Sequence, residues 1–580
     1  MSKIINLGQY TLLICSLLYI TACKDDPPPT DNVNPETFVI DSIKVFTINN
    51  DPVYANYNIN GLKIDALVDN DFIPGTSFKI KFTYPKGVNV VSVSPDLANP
   101  IDFTNPVTFT ITFDKNTTKT YTFNLKEAPL DVEKLVVDSI SLFNAQDNWV
   151  NANLSNSGTD YIGLVSQSTP TNYKVKFSFP NKIVPQSITP NPSDVVDYTV
   201  ERKFTIKFTS DITKTYTIKV GKHDPQAMPL TQVRGVWLTN VASQALFSRQ
   251  GIQECVDMCK DIGINTIFVV TFNNAKTQYR SQVMKEYFGS EIDPAMGSRD
   301  PLAELLEIAK PKGIRVVAWF EYGFASVYGD ASGGSIINKY PSWASKDAAG
   351  AITQKNNFYW VDPYNPEVQK FYKRLITEVC EKYPTLDGIQ GDDRLPALPS
   401  NGGYNSDVVS QFKKETGITP TANFAEGTWL QWRANKLSEF GNYLFKHVKS
   451  INSRFMVSMA PSSYNWSLQN YLQDWPKWVK NKQVDYMHPQ MYRRTFAEYK
   501  VEVDKNYPNM NTTDNKEIRF SPGVLLGDGS GDAITAPILD QILEYNRSIG
   551  LKGETYFYFE RIKKNVQFQD VIKKHYLKYP

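Results

Sequence analysis

The side chains best suited to chemistry follow short apolar runs in the C-terminal part of the chain. Trp319-Phe320-Glu321-Tyr322 closes one run, Asp392-Asp393-Arg394 a second, Gln490-Met491-Tyr492-Arg493 a third and Glu560-Arg561 a fourth. Four carboxyl groups, on Glu321, Asp392, Asp393 and Glu560, are thereby offered alongside the rings of Trp237, Trp319, Tyr322, Tyr492 and Tyr558. Paired carboxyls suit the hydrolysis of glycosidic bonds. One protonates the leaving oxygen while the other attacks the anomeric carbon or activates water. Aromatic faces stack on sugar C–H surfaces, and Arg394, Gln490 and Arg493 can bond hydroxyls. Three carboxylates could instead hold a hard divalent cation. A structural use stands beside both. Glu321 and Glu560 could pair with Arg394 or Arg561, and the rings could be packing. Adjacent strand residues point to opposite faces, so only one of Asp392 and Asp393 is expected to face a common axis. Trp432-Arg433 reads as helix packing plus a surface charge.

Composition removes other chemistries. The four histidines, His223, His447, His488 and His575, are scattered without a His-x-x-x-His pair, so no histidine zinc site and no cofactor is expected. Lys and Arg number 62 against 60 Asp and Glu, with no block of like charge, which leaves no footprint for nucleic acid. No Gly-x-Gly-x-x-Gly follows the first strand-like run, so a dinucleotide site has no support. Cys255, Cys259 and Cys380 are an odd set on helical patterns, expected to be buried thiols.

The elements that must position these residues alternate. Strand-like runs at 233–240, 266–273, 314–323, 386–393, 454–461, 484–492, 518–527 and 554–560 are separated by helical patterns such as 301–313, 366–383 and 536–550. Eight such units over residues 232–577 predict an α/β (β/α)8 TIM barrel, with a doubly wound open sheet as the alternative. In such a barrel the site forms at the C-terminal ends of the strands, where the residues above stand. Gly527, Gly529 and Gly531 read as a flexible loop after the seventh strand.

The N-terminal part reads differently. The apolar run 11–22 behind Lys3 predicts a secretory signal over 1–22, and Ile-Thr-Ala-Cys at 20–23 resembles a bacterial lipobox with Cys23 lipidated. A membrane partner through this anchor follows, for an exported, outer-membrane lipoprotein. Lys24-Asp25-Asp26 resembles the sorting tag of surface lipoproteins in Bacteroidota. Residues 23–36 form a Pro- and Asp-rich tether. An internal repeat comes next: VIDSI (39–43) matches VVDSI (136–140), FKIKFTYP (78–85) matches YKVKFSFP (173–180), and TKTYTF (118–123) matches TKTYTI (213–218). Alternating apolar runs broken by Asn, Asp, Gly and Pro predict two tandem all-β sandwiches, at 37–128 and 134–221. Residues 222–231 read as a linker.

The barrel segment resembles the glycosyl hydrolase-like 10 family. The resemblance rests on RGVWLTN (234–240), VVAWFEYGF (316–324), WVDPYNPEVQKF (360–371), DGIQGDD (387–393), QWRANKL (431–437), LQDWPKW (472–478), PQMYRR (489–494) and GETYFYFE (553–560) in this order. It implies a polysaccharide substrate and acidic catalytic residues, carried onto Asp392, Asp393, Glu321 and Glu560, with Asp393 and Glu560 the preferred pair. Gln490 and Tyr492 become sugar contacts. Gly391, where similar sequences carry a bulky residue, is expected to leave a small gap, and Arg394 to be able to recognise an anionic sugar. The family points to peptidoglycan glycan strands, whereas the acidic tag points to an external glycan. The repeats resemble Ig-like modules that serve as spacers or weak glycan binders. A surface protein that binds glycan without cutting it is the alternative function.

Overall fold

The computed structural model describes residues 40–50, 52–53, 55–68, 77–114, 117–127, 135–180 and 183–580. The signal run, Cys23 and the tether at 23–36 lie outside the described residues. The chain forms two compact units, one containing the first β-rich copy, the other most of the second copy and the barrel.

Each copy forms a four-stranded and a five-stranded sheet. In the first, the smaller sheet runs in the order 52–53, 42–46, 77–83, 101–102; the larger runs 55–60, 63–68, 118–127, 107–113, 90–94. The second copy repeats that order: 149–150, 139–143, 172–178, 196–197 and 155–157, 160–166, 213–223, 202–207, 187–189. The matched runs explain why. Ser77–Thr83 and Asn172–Ser178 both alternate buried and partly exposed residues, as a sheet with one covered face requires. Phe82 of the smaller sheet meets Phe109 of the larger edge-on, with centroids 5.3 Å apart. In both copies one pair is parallel, Lys63 opposite Thr122 and Asp160 opposite Thr217.

The second copy is fastened to the barrel. Lys446 on the helix Gly427–Ile451 donates to Ser155 Oγ at 2.7 Å, and Lys373 on the helix Pro366–Lys382 lies 3.1 Å from Asp160. Ile162 joins the barrel's apolar core.

All eight predicted barrel strands form. In chain order they are Arg234–Leu238, Thr266–Val270, Arg315–Trp319, Gly388–Gly391, Met456–Met459, Tyr486–Met487, Gly523–Leu525 and Glu554–Phe557, one parallel sheet. Pairing of the first strand with the eighth, and a parallel bridge from Met487 to Phe520, close it into a barrel and remove the open-sheet alternative. Helices fill the gaps where caps predict them: Asn365 and Pro366 start one helix, Asp300 and Pro301 another. The strands are buried on both faces, so they read as continuous Val, Ile and Phe runs rather than alternating ones. Trp237, Phe268, Trp319 and Phe557 fill the upper interior, with Trp237 6.1–6.3 Å from the other three rings. The glycines after the seventh strand form a hairpin, Gly527–Asp528 against Gly531–Asp532, rather than a free loop. Cys255, Cys259 and Cys380 are free and buried. No described helix is long and apolar enough to cross a membrane.

Candidate active site

The fourth barrel strand ends at Gly391, and the chain turns at once. Strand alternation therefore does not govern the next two residues, and Asp392 and Asp393 both reach the same guanidinium. Arg394 Nη2 lies 3.1 Å from Asp392 Oδ2, and its Nη1 lies 3.1 Å from Asp393 Oδ1. Glu321, just beyond the third strand, stands 3.9 Å from Nη2, while Arg394 Nε donates to the Glu321 carbonyl at 2.8 Å. Three carboxylates thus share one cation. The loop after the third strand must approach closely to allow this. Gly323 has φ +45°, and a Cβ there would collide with the Arg394 carbonyl. Gly391 leaves no gap, contrary to expectation: a Cβ there would run into the Leu395 carbonyl and lie 2.6 Å from the Met459 sulfur.

Neighbouring strands complete the support. Gln490 Nε2 donates to Asp392 Oδ1 at 2.9 Å and to the Ala460 carbonyl at 3.0 Å. Asn273, three residues beyond the second strand, donates to Glu321 Oε2. Trp237 Nε1 donates to Gln390 Oε1 at 2.7 Å beneath this layer. Arg394 lies 4.9 Å from the ring centroid of Phe358 and 5.6 Å from that of Tyr322. Phe358 belongs to a three-stranded sheet (325–328, 354–355, 358–360) inserted after the third barrel strand.

Burial pushes the Glu321 carboxyl above the usual carboxylate range; Arg394 and Asn273 oppose this and Asp393 adds to it. Burial also pushes Asp392 well up, reinforced by Asp393 and Glu321 and opposed by Arg394. For Arg394 burial works against the charge, but Asp393, Asp392 and Glu321 outweigh it and hold the guanidinium protonated. The side chains differ in access: Asp392 is 3% exposed, Glu321 13% and Asp393 17%. The Arg394 guanidinium, expected to be able to recognise an anionic sugar, is shared by three carboxylates in the structure. A divalent cation would compete with this guanidinium for the same oxygens.

The other candidate residues are dispersed. Glu560 opens a short helix after the eighth strand, where its carboxylate meets Ser243 Oγ at 3.3 Å and Lys564 Nζ at 3.2 Å. Neither of these partners belongs to the Arg394 cluster. Trp237 and Trp319 are 1% and 2% exposed and belong to the barrel interior. Tyr558 is also buried, with Arg561 5.7 Å from its ring centroid. Tyr322 is buried under Phe358, and Tyr492 is half-buried between Trp237 and Phe557. Arg493 is held 3.1 Å from Glu502. Arg433 is no surface charge: fully buried, it donates to the carbonyls of Ser400, Gly402 and Phe424. Sequence reading missed Asn273, Phe358 and Gln390. Asn273 and Gln390 sit at the tops of predicted strands, so that position was a usable signal. Phe358 lies in an insertion with no periodic signal.

These positions fall within one stretch of known kind. Residues 232–527, just over half of the chain, match the family described as Glycosyl hydrolase-like 10. The chain belongs to that family. The curated relatives it resembles include the glycosyl hydrolase DigH of Escherichia coli (strain K12) and of Shigella flexneri, each 24% identical over 297 residues. That alignment covers 46% of this chain and 64% of each relative, so it spans less than two thirds of their length. Among solved structures, the glycoside hydrolase domain of PgaB (BpsB) from Bordetella bronchiseptica aligns with a TM-score of 0.44 and 13% identity. It covers 59% of this chain and 98% of that one. The catalytic domain of a β-amylase from Paenibacillus polymyxa aligns with a TM-score of 0.44 and 11% identity, over 61% and 99%.

Proposed function

We propose that this glycosyl hydrolase-like 10 member hydrolyses glycosidic bonds of a polysaccharide at the Arg394 cluster, with Asp393 and Glu321 as the acting carboxyls. The observation that carries this is the convergence of three carboxylates on one guanidinium at the C-terminal mouth of the barrel. Asp393 and Glu321 are the two that a sugar can reach, whereas Asp392 is almost sealed and locked by Gln490 and Arg394. Glu321, raised by burial, is the group that carries a proton to the leaving oxygen. Asp393, held by Arg394, attacks the anomeric carbon or activates water. Arg394 and Asp392 are positioning residues: the cation keeps three like charges in one place and sets which of them ionises. Glu560 drops out of the pair because its partners are Ser243 and Lys564.

The chain is further proposed to be an exported outer-membrane lipoprotein anchored through Cys23, on the strength of the apolar run and Ile-Thr-Ala-Cys. The β-rich copies would then hold the barrel away from the membrane as spacers. The substrate is a polysaccharide, either peptidoglycan glycan strands or an external glycan.

A product assay tests this reading. Protein beginning after Cys23 is incubated with peptide-free peptidoglycan glycans and with plant and host polysaccharides, and fragments are read by mass spectrometry. Fragments from one substrate, reduced by about 10³ or more in Asp393→Asn, are expected. Binding without fragments, unchanged by Asp393→Asn, would overturn hydrolysis and leave a glycan-binding protein.

A further inference from the structure

On the side of the fifth and sixth barrel strands, next to Gln490 of the Arg394 cluster, lies a cavity of about 790 Å³. Gln490 and Tyr492 form its inner wall, and Gln490 is the same side chain that donates to Asp392. Gln490 is therefore the side chain shared by the cavity wall and the Arg394 cluster. Its remaining wall comes from the segment after the fifth strand, Ser462 to Trp466, and from the helix Phe496–Asn506 with the turn that follows it.

Among the described barrel residues, Trp466 is the one exposed tryptophan. It is 46% exposed, whereas Trp237, Trp319, Trp360, Trp429 and Trp475 are all nearly sealed. Asn465, which immediately precedes Trp466, has φ +67°, and Leu472, at the other end of the short helix Trp466–Tyr471, has φ +58°. The Tyr471 ring, 5.5 Å from Trp466, supports the indole from behind. Tyr464 is fixed by its N–H on Asn506 Oδ1 at 2.7 Å and by its hydroxyl on Asp474 at 3.2 Å. One aromatic side chain is thus rigid and its neighbour is presented to solvent at the cavity edge.

Arg493 and Glu502 in the wall are paired with each other, and most of the remaining lining is neutral. The one carboxylate, Glu502, is taken by Arg493 at 3.1 Å, and Arg493 also donates to the Tyr492 carbonyl at 2.7 Å. Lys505 stands exposed at the outer edge. The rest is hydroxyl and amide: Ser462, Ser463, Asn465, Asn506, Asn509 and Gln490. Aromatic faces with neutral hydroxyl and amide groups match the alternating C–H and O–H surfaces of a sugar ring.

We infer that this cavity is a binding subsite for uncharged sugar units of the same glycan, adjoining the cleavage point, and that Trp466 is its stacking platform and sets its specificity. The inference rests on the proposed glycan-cleaving role of the Arg394 cluster, but it is tested without turnover. The full chain in detergent, carrying Asp393→Asn, is titrated with cellohexaose, chitohexaose, mannohexaose and maltohexaose, and with hexagalacturonate, followed by tryptophan fluorescence and calorimetry. At least one neutral oligosaccharide is expected to bind. Adding Trp466→Ala should weaken it by tenfold or more, Trp466→Phe should weaken it less, and hexagalacturonate should bind more weakly than the best neutral one. No binding of any neutral oligosaccharide, equal binding by Trp466→Ala, or preference for hexagalacturonate would overturn the subsite. A circular dichroism spectrum unchanged from the parent excludes misfolding as the cause of a loss. A Trp466 effect on binding in a protein that releases no fragments would keep the subsite and reject hydrolysis. Fragment release by a protein whose Trp466→Ala form binds normally would do the reverse.

Discussion

Replacing Arg394 by Met tests the electrostatic core of the site. Its guanidinium lies 3.1 Å from Asp392, 3.1 Å from Asp393 and 3.9 Å from Glu321, and none of these side chains is more than 17% exposed. At an effective dielectric constant of about 20, each contact near 3 Å represents roughly 5 kcal/mol of attraction, opposed by the desolvation of the charges. Removing one member of a buried ion pair costs about 3–5 kcal/mol because it strands the other. Over residues 232–577 the unfolding entropy, about 2.1 cal/mol/K per residue, comes to about 0.7 kcal/mol/K. The barrel midpoint of Arg394→Met should therefore fall by about 4–7 °C near pH 7.5 in calorimetry. The sign with pH follows from Asp392 and Glu321, whose carboxyls burial already raises and Arg394 opposes. Without Arg394 they rise further. A carboxyl with its folded pKa above the unfolded value binds more protons in the native state, so its penalty grows as pH rises and is relieved below the unfolded pKa. The deficit should shrink as pH falls from about 7.5 towards 5. Equal midpoints at neutral pH, or a deficit that does not change with pH, would refute the reasoning.

Other variants separate the carboxylates and the glycine. Glu321→Gln should lower kcat/KM by about 10²–10⁴, whereas Glu560→Gln should stay within about tenfold of wild type. If Glu321 is the acid, kcat/KM of the wild type falls as pH rises through its raised pKa, and Glu321→Gln abolishes that limb; a limb that survives assigns the proton to another group. Gly391→Ala should destabilise the barrel by about 1–3 kcal/mol, because its Cβ has no room against Leu395 and Met459, and denaturant unfolding reads it directly. An unchanged midpoint would mean that the turn after the fourth strand yields freely.

Much of the architecture is local and was therefore legible. Each barrel strand is a short apolar run whose neighbours carry caps and breakers, as at Asn365-Pro366 and Asp300-Pro301, and eight such units permit few closed arrangements. The repeat motifs fixed the matching strand order of the two β-rich copies for the same reason: alternation at 77–83 and 172–178 is a property of the segment itself. The strand-end position of Glu321, Asp392, Asp393 and Gln490 was also readable.

Which of those side chains meet was decided only by the tertiary structure. Asp392 and Asp393 share Arg394 because the strand stops at Gly391, two residues short of the end of the strand-like run 386–393. Glu560 turns to Ser243 and Lys564 because a helix begins right after the eighth strand. Trp237 and Trp319 are in the interior because barrel closure brings the first, second, third and eighth strands around one axis. Trp466, by contrast, is exposed at the edge of a cavity whose wall is assembled from segments far apart in sequence. Periodicity records the local environment of a segment, one residue against the next. Charge partners, close approaches such as Gly323 on Arg394, and exposure at a cavity depend on segments far apart in sequence, and only the closed barrel specifies them.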